Sequence, residues 1–330
     1  MTDQKFIEID LELLRIDTIL GFDLFLQGDH GYILYRSRNV PFNERVRQNL
    51  LYHGVKILFM PVSDMGKYEV YIENNLSNII SDPHIRPEVK YQLLYETSTN
   101  IAKELIADPN SIANIKRSSK AIENMVDLYL KDDGGLRIII EMMPEDYRLY
   151  THSTNVATLS VAVGKSLGVL SKSDLNELGL GALLHDIGKS QVPSEILNKP
   201  GPLTTEEFEE VKQHVRYGCY LVENNPLVPK QAILPILSHH ERLSGTGYPA
   251  GKKQGQIPLF GLITGVADSF DAMTSNRVYQ KAMTPVQAME ILLGDFNSYD
   301  RHIVMEMMKL LGPQKRRSIR AELTPVVSTI

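Results

Sequence analysis

The chain has 330 residues, 43% of them hydrophobic and 23% charged, and a formal net charge of −5. That length suggests two domains with ample core-forming material, and the negative balance argues against a protein that coats nucleic acid non-specifically. A single cysteine, Cys219, excludes an internal disulfide and a cysteine-based zinc cluster, and is expected to be a small packed hydrophobe.

The opening stretch from Met1 to Phe6 lacks the apolar core of a signal peptide. No apolar run approaches the roughly 18 residues of a membrane span. A cytoplasmic protein is expected, with neither a membrane nor nucleic acid among its partners.

Residues 1–80 read as a small α/β or α+β unit. Strand-like runs at Phe22–Gln27, Tyr32–Arg36, Val55–Met60 and Tyr68–Glu73 are separated by Gly28-Asp29, Pro41, Pro61 and Gly66. Asn43–Tyr52 looks helical. No Gly-rich phosphate loop or nucleophile motif occurs here, which leaves a regulatory, ligand-sensing or dimerising module, or a plain structural domain. Residues 81–110 are expected to hold a connecting helix, because Glu88–Ala107 contains neither Pro nor Gly.

From 111 to 312 the chain reads as an α bundle, and the tail 313–330 loses periodicity. Ile112, Ile115, Ile122, Met125, Val126 and Tyr129 mark one helix, stopping near Gly134-Gly135. Val156, Leu159, Val163 and Leu167 mark the next, with His152 near its start. Leu175, Leu178, Ala182 and Leu183 line a helix that runs into His185-Asp186 and stops at Gly188. Thr204 begins another, with Glu207 completing a capping box and Leu203 and Phe208 spaced as a hydrophobic staple. That helix is expected to carry His214 about three turns in. Ile233, Ile236 and Leu237 deliver His239 and His240, and Leu259, Ile263, Val266 and Phe270 pattern a helix carrying Asp268.

His152, His185, Asp186, His214, His239, His240 and Asp268 thus sit at the ends or inner faces of successive helices. A lone histidine on an apolar helix is usually a satisfied core residue. A set of five with two aspartates is not, because unpaired buried imidazoles and carboxylates cost several kcal/mol that a shared cation removes. Helix bundles build metal sites in this way. Nitrogen and carboxylate donors suit iron, manganese, zinc or similar ions. If Asp186 bridges, then His152, His185 and Asp268 serve one metal, and His214, His239 and His240 the other. Two metals roughly 3.5–4 Å apart can hold a bridging hydroxide, polarise a phosphoryl oxygen and stabilise the leaving oxygen, so phosphodiester hydrolysis is the expected reaction.

In this order the motifs resemble the HD-GYP family of HD-domain phosphohydrolases. They are His152-Ser153, Leu184-His185-Asp186-Ile187-Gly188-Lys189, Ile196-Leu197-Asn198-Lys199-Pro200-Gly201-Pro202-Leu203-Thr204, His214, His239-His240-Glu241, Gly247-Tyr248-Pro249 and Ala267-Asp268-Ser269-Phe270-Asp271-Ala272-Met273-Thr274. The resemblance covers roughly residues 145–310. It implies a mainly α fold, an all-helical HD-type bundle behind the small N-terminal domain. It also implies a bacterial cyclic di-GMP phosphodiesterase with two divalent ions, iron or manganese, giving pGpG and then GMP. Lys189 and Asp186 would be catalytic, and Lys189, Tyr248, Asp271 and Arg277 substrate-binding. Asp271 could instead orient a ligand, and Tyr248 could order its loop. Glu241 reads as a structural or ligand-orienting carboxylate. Arg148 stands where some members place a glutamate for a third metal, so two are expected.

Ser244 replaces the family's usual aspartate before the Gly-Tyr-Pro segment, and the neutral Gln280 often has a basic counterpart. These departures motivate two alternatives: a weakly active or inactive cyclic di-GMP receptor signalling through a partner, or a phosphodiesterase for another cyclic dinucleotide such as cyclic GMP-AMP. A homodimer or signalling partner would engage the N-terminal domain.

Overall fold

The computed structural model describes residues 5–131, 135–144, 148–276 and 281–312. Their division into two compact units falls between Leu93 and Leu94. It lies inside a helix rather than at a loop.

The first unit is built on a four-stranded antiparallel sheet of β1 (Phe6–Asp10), β2 (Leu24–Gly28), β3 (Gly31–Arg36) and β4 (Ile57–Pro61), in the order β1-β4-β2-β3. The register pairs Ile7 with Met60 and Ile9 with Leu58. Ile9, Leu58 and Met60 are fully buried, as alternation in a one-sided sheet requires. Helix α1 (Glu44–Tyr52) starts where Asn43 accepts a hydrogen bond from the Val46 amide at 3.1 Å, satisfying an otherwise orphaned donor. Strand β1 was not among the expected strands. Tyr68–Glu73, expected as a strand, lies instead within helix α2 (Met65–Ser81). Tyr68, Tyr71, Ile72, Leu76, Ile79 and Ile80 are its buried residues, a helical spacing that extends beyond the short window read as alternating. Tyr68 and Tyr71 both meet Phe22 edge-on, with ring centroids 5.6 Å apart.

Helix α3 (Pro87–Ala107) crosses the division. The second unit continues through α4 (Ile112–Lys131), α5 (Gly135–Met142), α6 (Leu149–Ser166), α7 (Lys172–Leu184), α8 (Ser194–Leu197), α9 (Thr205–Lys212), α10 (His214–Val222), α11 (Ile233–Ser238), α12 (Leu259–Thr274), α13 (Pro285–Gly294) and α14 (Arg301–Leu311). No strand longer than an isolated bridge occurs among its described residues.

Helix α6 is buried from Thr151 to Gly164, and α7 and α12 pack on it. Leu180 and Leu184 of α7, Ile187 of the following 3₁₀ turn, Val222 of α10 and Ile236 of α11 share one apolar cluster, against which Cys219 packs. Each such side chain contributes about 1.5–3 kcal/mol on burial. The same cluster therefore fixes the relative positions of four elements that carry polar groups at their ends.

Two local features set the geometry. The single helix expected from Thr204 through His214 is two segments, and His214 opens α10. The His214 Nδ1 takes the Val211 carbonyl at 2.6 Å, and the Gln213 amide turns back to Glu210, so the regular ladder is interrupted there. In the 3₁₀ turn Ile187–Gln191, a methyl group on Gly188 would lie 1.9 Å from the His214 carbonyl oxygen. Only glycine lets the two backbones approach so closely.

Candidate metal centre

The seven residues singled out from the sequence converge in the second unit. His152 comes from α6, His185 from the end of α7, Asp186 from the next turn and His214 from the start of α10; His239 and His240 follow α11, and Asp268 lies on α12. His152, His185 and Asp186 form one group and Asp186, His214, His239 and His240 another, with one donor atom of each residue within 4.8 Å of the others in its group.

Asp186 divides its oxygens between them. Its Oδ2 lies 3.5 Å from His152 Nε2 and 3.3 Å from His185 Nε2, while Oδ1 lies 3.3 Å from His214 Nε2 and 3.9 Å from His239 Nε2. Asp268 Oδ1 is 3.2 Å from His152 Nε2 and 3.9 Å from His185 Nε2, and its Oδ2 is 3.8 Å from His240 Nδ1.

Neighbouring groups fix the tautomers. His185 Nδ1 donates to the Ala182 carbonyl at 2.7 Å, His214 Nδ1 to that of Val211, and His239 Nδ1 to that of Pro235 at 2.9 Å. His152 Nδ1 donates to Asp271 Oδ2 at 2.6 Å. Asp271 Oδ1 accepts from the Asn155 amide at 2.7 Å, and Asn155 Oδ1 accepts from the Tyr95 hydroxyl at 2.6 Å. Each of these four rings thus turns Nε2, with its lone pair, toward the centre.

Such an arrangement fits a metal ion. His185 Nε2 and Asp186 Oδ1 are buried without a hydrogen-bond partner. His214 Nε2 and His239 Nε2 face each other at 3.4 Å, two acceptors with nothing to accept unless a cation lies near them. The residues form a nitrogen-and-oxygen donor set, without thiolate, that can hold metal.

The electrostatics agree. Burial pushes the Asp186 carboxyl up, but the Lys189 ammonium and the neighbouring His185 and His152 outweigh it and hold the group well below the carboxylate range. Asp268 is likewise held well below it: burial opposes, but the neighbouring His152, His240 and His185 prevail. Burial holds His214 below the usual histidine value and, with His185 beside it, takes His239 to about 3. Burial and the neighbouring His239 lower His240 as well.

Around this centre, Lys189 Nζ lies 2.5 Å from Asp186 Oδ2 at a partly exposed edge. The Tyr248 ring lies against His240 with centroids 4.5 Å apart. Asp271, expected among the substrate contacts, is buried with both oxygens occupied behind His152. Glu241 fastens the Gly-Tyr-Pro loop, accepting from the Ala250 and Lys252 amides at 2.8 Å each. Ser244 is exposed, and its hydroxyl accepts from the Thr246 amide within the turn. Arg148 is exposed at the N-cap of α6. Arg277 and Gln280 lie outside the described residues.

Asn155 and Tyr95 were not foreseen. Asn155 stands three residues after His152 on the same helix, which is the signal that could have found it. Tyr95 had none, because only folding brings it near. Cys219 is partly buried, and burial, with Glu223 nearby, pushes its thiol up to about 11.

A family model described as HD domain matches residues 138–303. The chain is 40% identical over 179 residues to a protein of Thermotoga maritima named cyclic di-GMP phosphodiesterase, covering 52% of this chain and 48% of that one. It therefore spans about half the length of that relative. A Vibrio cholerae protein named probable cyclic di-GMP phosphodiesterase is 34% identical over 319 residues, covering 91% of this chain and 69% of its own length. Among solved structures, an HDG"Y"P protein from Bdellovibrio bacteriovorus aligns over 93% of this chain and 99% of that one, with a TM-score of 0.65 and 20% identity, a likeness of fold. No helix among the described residues is long and apolar enough to cross a membrane. The order of the motifs, the helical fold and the matched family model agree, and this chain belongs to the HD-domain family, within its HD-GYP group.

Proposed function

We propose that this chain is a metal-dependent phosphodiesterase that hydrolyses cyclic di-GMP to pGpG and then GMP. The division of the Asp186 oxygens between two sets of imidazoles is the observation that carries this reading. In it, Asp186 would be shared between two ions, iron or manganese. His152, His185 and Asp268 would hold one, and His214, His239 and His240 the other. When bound, the pair supplies a nucleophilic oxygen at neutral pH and Lewis-acid polarisation of the phosphoryl group.

The chain's own residues do the rest. Nδ1 partners lock the rings in place, so no reorientation is needed when substrate arrives. Lys189 holds its ammonium beside Asp186, where it can neutralise a non-bridging phosphate oxygen. Tyr248, against His240, would contact the nucleoside. Asp271 orients His152. Residues 111–312 would form the catalytic domain and residues 1–80 a regulatory or dimerising one, joined by 81–110.

The test is to load the full chain with iron or manganese under reducing conditions, add cyclic di-GMP, and separate the products by chromatography. Formation of pGpG or GMP is expected, and its absence with metal bound would defeat the proposal. Cyclic GMP-AMP in the same assay distinguishes the substrates.

A further inference from the structure

Beyond the metal ligands, a row of rings runs outward from His240. Tyr248 lies 4.5 Å from His240, and Phe208 lies 6.5 Å from Tyr248 at an interplanar angle of 82°. Phe208 is 45% exposed, on α9, and none of the ligands requires it there. Lys212, one turn further along the same helix, holds its ammonium 4.8 Å from the Phe208 centroid and 5.5 Å from that of Tyr248, with Glu209 2.6 Å away. An exposed aromatic face, a second ring set across it and a cation at their junction form a corner. An apolar chain would gain nothing from the ammonium, and a bare phosphate nothing from the rings.

Resting on the phosphodiesterase reading, we infer that Phe208, Tyr248 and Lys212 form a recognition corner for a guanine base of the substrate. The base stacks on Phe208, its edge meets Tyr248, and Lys212 donates to the O6 and N7 acceptors. Adenine offers an amino donor in place of O6, so the ammonium disfavours it. The corner adjoins two of the ligands, since Tyr248 lies 4.5 Å from His240 and 6.4 Å from His214, ring centre to ring centre. Phe208 also occupies the helix position that could staple Leu203, so a folding role must be separable.

The sequence contains no tryptophan, so Phe208→Trp introduces a unique fluorophore. In the manganese-loaded full chain, GMP is expected to quench this fluorescence saturably, and ribose 5-phosphate to leave it unchanged. Lys212→Met is expected to narrow the GMP-over-AMP preference, measured by the same quenching in the double variant. Phe208→Ala is expected to raise KM for cyclic di-GMP about tenfold with kcat nearly unchanged, as loss of one base–aromatic stack predicts. Phe208→Tyr should restore it. Equal quenching by GMP and ribose 5-phosphate, or none by either, overturns the inference, as does a loss in Phe208→Ala confined to kcat or thermal stability. If the wild-type chain fails to hydrolyse cyclic di-GMP, the activity reading fails and the quenching titration alone decides the corner.

Discussion

His214 Nε2 and His239 Nε2 face each other across 3.4 Å in the protein interior, each with its Nδ1 hydrogen already donated to a backbone carbonyl. Two lone pairs so placed repel, and a cation between or beside them turns that cost into a gain. Metal removal is therefore expected to lower the melting temperature, and re-addition of manganese at about 100 times its Kd to restore roughly 2.7 kcal/mol. Calorimetry of chelated and reloaded protein measures this. Identical melting curves would show that the cluster is satisfied without metal.

Asp186 is the carboxylate common to both sets. Asp186→Asn keeps its shape and removes its charge, so at least half of the bound metal and nearly all hydrolysis should be lost together. Elemental analysis beside the product assay tests this. Full activity with full metal content would exclude bridging by Asp186.

Asp271 touches the rear nitrogen of His152 and the Asn155 amide. Asp271→Asn should weaken metal affinity or activity by about 10–100-fold, the usual cost of losing a ligand's orienting partner. KM measured at saturating metal should hardly change. A rise in KM with unchanged metal affinity would make Asp271 a substrate contact after all.

In the metal-free protein, burial keeps His214, His239 and His240 below the histidine reference, His239 at about 3. The unfolded chain protonates these rings near pH 6.5, so below that value it binds more protons than the folded chain. Stability accordingly rises with pH up to about 6.5 and falls on acidification, by up to about 1.4 kcal/mol per pH unit for each ring that stays neutral. Asp186 and Asp268 do not alter the sign, because their unfolded values, near 3.8, lie below this window. The metal-free melting temperature should drop clearly between pH 7.5 and 5.5. A flat profile would mean that the rings are already charged in the folded state.

Gly188→Ala should destabilise the second unit severely, since the added methyl would overlap the His214 carbonyl. Urea titration of the metal-free variant measures the loss, and a loss under about 1 kcal/mol would show that the turn can shift at little cost.

Much of this was legible from residue types. His152, His185, Asp186, His214, His239, His240 and Asp268 stand out because imidazoles and carboxylates at apolar helix ends are costly without a partner, and helical spacing located the segments that carry them. Pairings between distant residues were not legible: Asn155 and Tyr95 belong to no metal-binding motif, and only the packing of α3, α6 and α12 joins them to Asp271. Tyr68–Glu73 misled because a few residues of an amphipathic helix can imitate alternation. The break at Gln213 was hidden because a side chain taking a backbone carbonyl leaves no compositional trace.

Glu241 follows His240 directly, and its two oxygens hold the amides of Ala250 and Lys252, closing the loop that bears Tyr248. The Tyr248 amide also donates to the His240 carbonyl at 3.2 Å, so the loop is fastened both to a ligand residue and to its neighbour, and a probe on that loop is expected to report metal addition.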